Sequence, residues 1–326
     1  MPRWLSTRAR IRTLINARDW TEPAFQQTLS TLGLAYNHHR KPWEFVSITQ
    51  ILRERGMLDG TKVGLGLGTG VEPLSFYFAN HARDVIATDL FSADTKWDCA
   101  RFEPDSVYAA SPFPYERERL TFRNMDMTVI DLPQASVDFV WSTSSVEHVS
   151  SVEKYLEVFK GIERVLKPGG VAVIVTEWNL RPRTDYHPGM IIVDLPLLQL
   201  VEADTGLRVD GPLDLSVDED GSLLPLTLDV LHQTPFWHHL PNSWATMSGM
   251  LFTSARIVFE KVARPSTLSV SKPLDQIQAA RGLVFTFRIR SDLEAPDRRL
   301  TELGWDPAGS SSWNWWWGWR SPCCSS

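Results

Sequence analysis

Residues 62–72, KVGLGLGTGVE, decide the fold that this sequence predicts. They read as a short buried strand that breaks into a glycine-rich turn and then begins a helix. Glycine recurs at Gly64, Gly66, Gly68 and Gly70, and only glycine lets a backbone turn this tightly while a ligand lies against it. The predicted helix would present free N–H groups and a partial positive charge to whatever occupies the turn.

A carboxylate follows on the next predicted strand. Asp89 lies nineteen residues after Gly70, at the end of the apolar run VIAT of residues 85–88. A strand, a glycine turn, a helix, a second strand and a terminal acid form half of a nucleoside-binding unit, in which the acid binds ribose hydroxyls. The dinucleotide fingerprint G-x-G-x-x-G is absent, because its last position is Thr69 in one register and Val71 in the other. The glycines alone also fit a tight turn in an unrelated α/β protein.

Strands and helices are predicted to alternate along the chain. Further helices are predicted over residues 40–56, 72–82, 96–102, 152–166 and 191–203. Further strands are predicted over residues 120–125, 137–141, 171–176 and 250–262. Such alternation specifies an α/β fold with a doubly wound, mostly parallel sheet. We expect an N-terminal arm over residues 1–39, one domain over 40–263 and a C-terminal extension over 264–326.

Three motifs carry a resemblance to a known family. Residues 66–70 spell G-x-G-T-G, residues 137–149 spell VDFVWSTSSVEHV, and residues 166–170 spell LKPGG. In this order they resemble the class I S-adenosylmethionine-dependent methyltransferases, over about residues 40–180. The resemblance implies a Rossmann-like methyltransferase fold with a seven-stranded sheet, N-terminal cover helices and an antiparallel last strand. It also implies methyl transfer, with S-adenosyl-L-methionine as the cofactor.

The resemblance assigns cofactor contacts to the ends of the first two strands. The backbone of Gly66, Gly68 and Gly70 would lie against the amino-acid end and the ribose of the cofactor. Asp89 would accept hydrogen bonds from both ribose hydroxyls, since one carboxylate has two acceptor oxygens. Leu90 would pack on the adenine face.

Further contacts are implied on the neighbouring strands. Asp126 would bind the adenine amino group, the N–H of Met127 would meet a ring nitrogen, and Ser142 would contribute from the end of the fourth strand. The family often has an acid two residues before the first motif glycine, and this sequence has Gly64 there. Glu72 either replaces that acid or makes a different contact.

A base for the acceptor is expected after the fourth strand. His148 is the leading candidate, because a histidine with an ordinary pKa of about 6.5 suits proton removal. It would otherwise cap the next helix or bond to Glu147. Glu147 and Glu177 are further candidates at strand ends on the same edge of the sheet, where open α/β sheets bind ligands.

The acceptor is predicted to be a small molecule or glycan-like, methylated at oxygen. Residues 68–74 spell G-x-G-x-E-P-L, which resembles a bacterial subgroup associated with surface-glycan synthesis. Two alternatives stay open. One is a nicotinamide-dependent oxidoreductase on a similar fold, and the other is a cofactor-binding partner module that has lost catalysis.

The composition of the chain limits its expected partners and its expected cellular location. A net charge of −6 argues against a broad nucleic-acid-binding surface. No apolar run reaches the length of a membrane span. Three cysteines without disulfide or metal-ligand spacing suit a reducing cytosol. The arginine-rich, acid-poor residues 1–18 are either an organelle transit peptide or a basic leading helix or frayed end, and we favour the second and a cytoplasmic location.

Two histidine-rich stretches and the tail have open roles. His38 and His39 either bind a ligand or form an exposed cap before the predicted helix at 40–56. Residues 231–239 either line the acceptor side or form an aromatic-capped hairpin. The tail carries five tryptophans within residues 313–319, and it is either an unselected sequence or a contact site for a partner.

Overall fold

A computed structural model describes residues 13–34, 40–91, 104–180, 186–187, 189–216, 244–247 and 250–273. The expected helix at 96–102, His38, His39, the stretch 231–239 and nearly all of the C-terminal extension lie outside these ranges.

Helices cover both faces of the sheet. Within the described residues they are α1 (Pro23–Thr31), α2 (Arg40–Glu54), α3 (Pro73–Ala79), α4 (Pro104–Val107), α5 (Val152–Val165) and α6 (Leu195–Asp204). None of these described helices is long and apolar enough to cross a bilayer. Helix α5 begins where Ser151 accepts a hydrogen bond from the Lys154 N–H, as an N-cap should. Its buried face confirms the helical spacing of the apolar residues, namely Tyr155, Val158, Phe159, Ile162 and Val165.

The strands form one large sheet and two small ones. They are β1 (Val63–Leu67), β2 (Asp84–Asp89), β3 (Leu120–Asn124), β4 (Val137–Thr143), β5 (Leu166–Asn179), β6 (Tyr186–His187), β7 (Met190–Ile191), β8 (Leu207–Val209), β9 (Leu213–Asp214), β10 (Trp244–Met247), β11 (Met250–Lys261) and β12 (Val270–Lys272). Seven lie side by side in the order β10-β11-β5-β4-β1-β2-β3, and β8 pairs with the far end of β11. Strands β1 to β5 are parallel, whereas β11 runs antiparallel to β5 and β10. This confirms the doubly wound, mostly parallel, seven-stranded sheet.

Three element predictions need correction. Helix α6 begins at Leu195 rather than at residue 191, because the Asp194 side chain accepts from the Leu197 N–H and so caps the helix there. Strand β5 begins at Leu166, directly after α5, rather than at residue 171, so it includes the LKPGG motif. Strand β11 does not lie at the sheet edge, because β10 pairs with its outer side.

The sheet separates two apolar layers. Helices α1, α2 and α3 pack on one face, where the aromatic side chains of β4 and α3 are enclosed. Helices α5 and α6 pack on the other face against aliphatic residues. Strand order reverses between β1 and β4, and ligands of such sheets bind outside the carboxyl ends of the strands at this switch point.

The segment before α1 belongs to the folded core. Leu14 forms a bridge with Ala255 of β11, and the Ile15 N–H donates to the Ser254 carbonyl at 3.1 Å. A leading helix over residues 13–16 is therefore wrong, because this stretch is extended and pairs with the sheet. Trp20 is fully buried in the same layer as α2. The domain boundary at residue 39 stays a prediction.

Candidate active site

The glycine turn after β1 is held against the segment that follows β4. Gly68 and Gly70 have φ angles of 64° and 49°, in the left-handed region that favours glycine. A Cβ atom built on Gly68 would lie 2.5 Å from the Cβ of Ser145. The Ser145 hydroxyl donates to the Gly68 carbonyl at 2.8 Å. The glycine turn after β1 and the segment after β4 are thus hydrogen-bonded to each other at the switch point.

Gly64 and Gly66 are required by the packing of β4 against β1, whereas the sequence suggested that they allow a tight turn against a ligand. Gly64 lies opposite Phe139 in the β1–β4 register, and Gly66 lies opposite Trp141. A Cβ built on Gly64 would lie 2.3 Å from the Phe139 ring, and one on Gly66 would lie 2.4 Å from the Trp141 ring. These glycines make room for aromatic side chains of the protein itself. The same contact explains why no acid occupies position 64.

Asp89 lies at the end of β2 beside the turn. Its Oδ2 accepts the Gly70 N–H at 2.8 Å, and its Oδ1 accepts the Leu90 N–H at 2.7 Å. Burial raises the pKa of Asp89, although these two amide hydrogen bonds act in the opposite direction. Each carboxylate oxygen has a second lone-pair direction. The carboxylate is therefore oriented by the backbone and can still accept two hydroxyl donors.

An apolar and acidic rim continues from Asp89 towards β3. Leu90 is 54% exposed, and large apolar residues with this exposure are few in the described chain. Asp126 is exposed just after β3, and its Oδ1 accepts from both the N–H and the hydroxyl of Thr128 at 2.8 Å. The Met127 side chain reaches the Gly68 turn. A flat base could lie across these side chains with its edge towards Asp126.

Glu72 and Ser142 make internal contacts at the strand ends. Glu72 is buried, and its Oε1 accepts the indole N–H of Trp141 at 2.6 Å. The Ser142 hydroxyl donates to the Leu67 carbonyl at 2.8 Å. Both contacts tie β4 to the glycine turn. A direct cofactor contact by either residue stays a prediction.

The protonation of Glu72 gives a pH-dependent stability. Burial raises its pKa from 4.5 to about 8, although the hydrogen bond from Trp141 and the charge of Lys41 act in the opposite direction. Between pH 4.5 and about 8 the unfolded chain loses this proton while the folded chain keeps it. The free energy of unfolding therefore falls as pH rises through this window.

Glu72→Gln is expected to remove this decline. The variant should match the wild type near pH 4.5 and exceed its free energy of unfolding by at least about 1 kcal/mol at pH 8. Denaturant unfolding of both proteins at the two pH values measures the difference. Equal differences at both pH values would show that Glu72 is already ionised in the fold.

His148 lies in a short 3-10 helix over Val146–His148, directly after β4. Its Nδ1 lies 3.0 Å from the Gly189 carbonyl oxygen, so in neutral imidazole Nδ1 carries the proton and Nε2 is the proton-accepting nitrogen. The Gly189 N–H in turn donates to the Val149 carbonyl at 2.9 Å. His148 therefore anchors the β6–β7 turn through its Nδ1.

A buried group of charges lies between α2 and the ends of β4 and β5. We call it the α2 charge cluster, and its members are Arg40, Lys41, Glu44, Glu147 and Glu177. Arg40 Nη1 contacts Glu177 Oε1 at 2.6 Å, and Lys41 Nζ contacts Glu44 Oε2 at 2.8 Å. All five residues are less than 5% exposed.

The pKa values of the carboxyl groups in the α2 charge cluster shift in two directions. Burial raises the pKa of Glu147 to about 7 and that of Glu177 to about 7, with the charge of Arg40 opposing the shift at Glu177. For Glu44, burial is outweighed by the charges of Lys41 and Arg40, so its pKa is lowered. Glu147 and Glu177 thus titrate near neutral pH, whereas Glu44 is the permanent counter-ion.

The structure brings the predicted residues together and adds four. Gly68, Asp89, Glu147, His148 and the others lie at the carboxyl ends of β1 to β5 or in the segments that follow those strands, with Glu177 beneath α2. Arg40, Lys41 and Glu44 were not predicted, because charges on a helix ordinarily face solvent. Ser144 was also missed, although it is a non-glycine residue with a φ of 46°. Its position in a run of four hydroxyl residues carried no local indication of that conformation.

Part of the chain matches a known protein family. Residues 62–174, about a third of the chain, match the family model described as a methyltransferase domain. No curated protein sequence is similar enough to count as a match. Many solved structures share the fold. The 4+2 cyclase SpnF is 16% identical, covers 78% of this chain and 99% of its own, and has a TM-score of 0.48.

Two further similar structures are S-adenosylmethionine-dependent methyltransferases. The protein from Mesorhizobium loti is 16% identical over 65% of this chain and 96% of its own, with a TM-score of 0.41. The protein from Methanosarcina mazei is 14% identical over 65% of this chain and 98% of its own, with a TM-score of 0.42. The family match identifies residues 62–174 as a methyltransferase domain, and it supports an enzyme that uses S-adenosylmethionine.

Proposed function

We propose that the chain transfers a methyl group to a hydroxyl oxygen of a small-molecule or glycan-like acceptor. The observation that carries this proposal is the gathering of His148, Glu147 and Glu177 at the carboxyl edge of β4 and β5. A hydroxyl must lose its proton as it is methylated, so oxygen transfer benefits from a positioned base. The G-x-G-x-E-P-L spelling of residues 68–74 supports a glycan-like acceptor.

The residues present fit the adenosyl part of the cofactor. The Asp89 carboxylate, oriented by the Gly70 amide, would accept the two ribose hydroxyls. Exposed Leu90 would pack on the adenine ring, with Asp126 at its amino edge and Met127 beneath it. The cofactor, when bound, supplies an electrophilic methyl group on a positively charged sulfur.

His148 would take the acceptor proton. Its Nδ1 bond to Gly189 fixes the ring plane and the tautomer. Nε2 would accept the hydroxyl proton as the oxygen–carbon bond forms and the carbon–sulfur bond breaks. The enclosing α2 helix would exclude water from the reacting oxygen. Alignment and proton removal are the main contributions that such a transfer needs from a protein.

Two substitutions at position 148 separate catalysis from anchoring. His148→Ala should lower kcat by about 100-fold or more while the Kd for S-adenosylhomocysteine stays unchanged. His148→Asn keeps a side-chain N–H near the place of Nδ1 but has no basic nitrogen. We expect it to be as inactive as the alanine variant, in steady-state assays that follow release of S-adenosylhomocysteine.

The same pair can overturn the assignment. If His148→Asn restores wild-type turnover, the histidine only anchors the β6–β7 turn through Gly189. If both variants turn over normally, proton removal falls to another group. Product analysis tests the wider proposal, because a methyl ether must be formed from the accepted substrate.

We also propose a cytosolic enzyme whose partner is its acceptor rather than a nucleic acid. The support is the acidic net charge of −6 and the sparse cysteines of the sequence.

A further inference from the structure

Three buried polar atoms beside β5 lack partners. Glu147 Oε1, Glu177 Oε2 and Ser144 Oγ are shielded from solvent and find no hydrogen-bond partner within the described part of the chain. Buried polar atoms are paired in the great majority of cases, and leaving a charged one unpaired is costly. An unpaired group of this kind requires an explanation, and a ligand that donates hydrogen bonds provides one.

The three atoms belong to one small region. The Ser144 N–H donates to the Val175 carbonyl at 2.7 Å, which places the end of β4 beside β5. The Thr176 hydroxyl donates to Glu147 Oε2 at 3.1 Å, and Glu177 is the next residue of β5. The charge of Glu147 also acts on Glu177. The two carboxyl groups therefore lie close enough to interact at the sheet edge, and the Ser144 backbone lies beside the same strand.

In each carboxyl group one oxygen accepts a hydrogen bond from the protein, and the other oxygen has no partner among the described residues. Thr176 holds Glu147, and Arg40 holds Glu177 through Oε1 at 2.6 Å. Anchoring of this kind fixes the direction of the second oxygen, as a binding site requires. Ser144 adds backbone strain, since its φ of 46° lies in the region that favours glycine, and such strain concentrates at functional sites.

The charges of the region select against an anion. The α2 charge cluster holds two cations, Arg40 and Lys41, and each contacts a carboxylate of the cluster. With Glu147 and Glu177 ionised, above about pH 7, the three acids of the cluster outnumber its two cations. An incoming carboxylate or phosphate would then meet no excess positive charge. The described residues also include no group of three or more metal-binding side chains, which disfavours a metal ion as the occupant.

The choice between a hydroxyl and an amine follows from the reaction. A protonated amine would match two carboxylates, but it would place a second positive charge beside the sulfonium. It would also have to lose its proton before it could accept a methyl group. A neutral compound with several hydroxyls satisfies the unpaired oxygens without either difficulty.

We propose that Ser144, Glu147 and Glu177 form an acceptor subsite that takes an uncharged compound with at least two neighbouring hydroxyl groups, a sugar or another polyol. This inference rests on the proposed function, because it names the substrate class of the same site. Glu147 and Glu177 bind hydroxyls adjacent to the one that His148 deprotonates. Because the carboxyl groups are enclosed, acceptor binding requires the side chains around them to move aside.

A matched pair of acceptors tests the charge selection without any substitution. Methyl β-D-glucopyranoside and methyl β-D-glucopyranosiduronic acid differ at one carbon, which is uncharged in the first and a carboxylate in the second. With the full chain and S-adenosylmethionine, we expect kcat/KM for the neutral glycoside to be about 10-fold or more above that for the uronide. Glycerol, inositol and primary amines complete the panel, and binding of the same probes is followed by ligand-observed NMR.

Isosteric substitutions test the two carboxyl groups. Glu147→Gln and Glu177→Gln should each raise KM for the neutral acceptor by about 10-fold or more, with kcat changed by less than about 3-fold. The Kd for S-adenosylhomocysteine should be unchanged, and discrimination against the uronide should shrink as the negative charge is removed. Glu157→Gln is the control, since Glu157 is an exposed partner of Lys154 on α5.

The outcomes separate this inference from the proposed function. Transfer to amines only, preference for the uronide, unchanged KM in both variants, or no binding and no transfer for every polyol probe would each overturn the subsite. If the chain does not bind S-adenosylhomocysteine at all, the failure belongs to the assignment of the cofactor site. If a glutamine variant does not fold, the matched acceptors on the wild type still decide.

Discussion

Asp89→Ala is expected to weaken the binding of S-adenosylmethionine and S-adenosylhomocysteine by about 100-fold or more. The variant loses two charge-assisted hydrogen bonds to the ribose hydroxyls, each of which contributes about 1.5 kcal/mol or more. It also loses the acceptor of the Gly70 N–H, so the turn that the ribose approaches is no longer held against β2. Isothermal titration calorimetry measures both ligands.

Asp131→Ala is the matched control for this measurement. Asp131 is also an aspartate in an ion pair, with Arg123, but its side chain is 83% exposed and lies away from the turn. The control should bind both ligands as the wild type does. Equal affinity in the two alanine variants would remove Asp89 from the cofactor site.

Gly64→Ala is expected to lower the free energy of unfolding by about 3 kcal/mol or more. The new Cβ would lie 2.3 Å and 2.5 Å from two carbons of the Phe139 ring. That ring has little freedom to move, because it packs edge-on against Phe78 at 5.9 Å and beside Trp141 at 6.0 Å between ring centroids. Strand β1 is central in the sheet, so it cannot shift away from β4 without breaking β2 as well. Denaturant unfolding followed by circular dichroism measures the loss.

Two comparisons make the cause of the loss specific. Gly33→Ala introduces a Cβ into open space at a φ of 67°, so it reports backbone strain alone and should cost about 1 kcal/mol. The double substitution Gly64→Ala with Phe139→Leu should recover part of the loss, because the smaller side chain frees the space. If Gly64→Ala costs no more than Gly33→Ala, the packing explanation for this glycine is falsified.

The regular elements could be predicted because their patterns are local. The apolar residues of α5 recur at helical spacing and are all buried. Residues 171–176 of β5, VAVIVT, are β-branched except for Ala172, as suits a strand buried on both faces. Residues 66–70 and Asp89 are close in sequence, and their meeting follows from a single strand–turn–helix–strand unit.

The features that sequence could not supply depend on distant partners. Arg40 is buried because it contacts Glu177, 137 residues away, and nothing in the local pattern of α2 distinguishes it from a solvated charge. Leu14 pairs with Ala255 of β11 across almost the whole domain. The reason for Gly64 likewise lies on another strand, in the ring of Phe139. Local periodicity predicts which face of an element is apolar, but it does not predict which charge finds a partner.

The central claim is that the crevice between the glycine turn and Asp89 holds the adenosyl part of S-adenosylmethionine. The most direct test is a calorimetric titration of the unmodified chain with S-adenosylhomocysteine. We predict saturable heat with one site per chain, displacement by S-adenosylmethionine, and no heat with NAD. Absence of heat with both sulfur compounds, at ligand concentrations up to about 1 mM where even weak specific binding is measurable, would contradict the account.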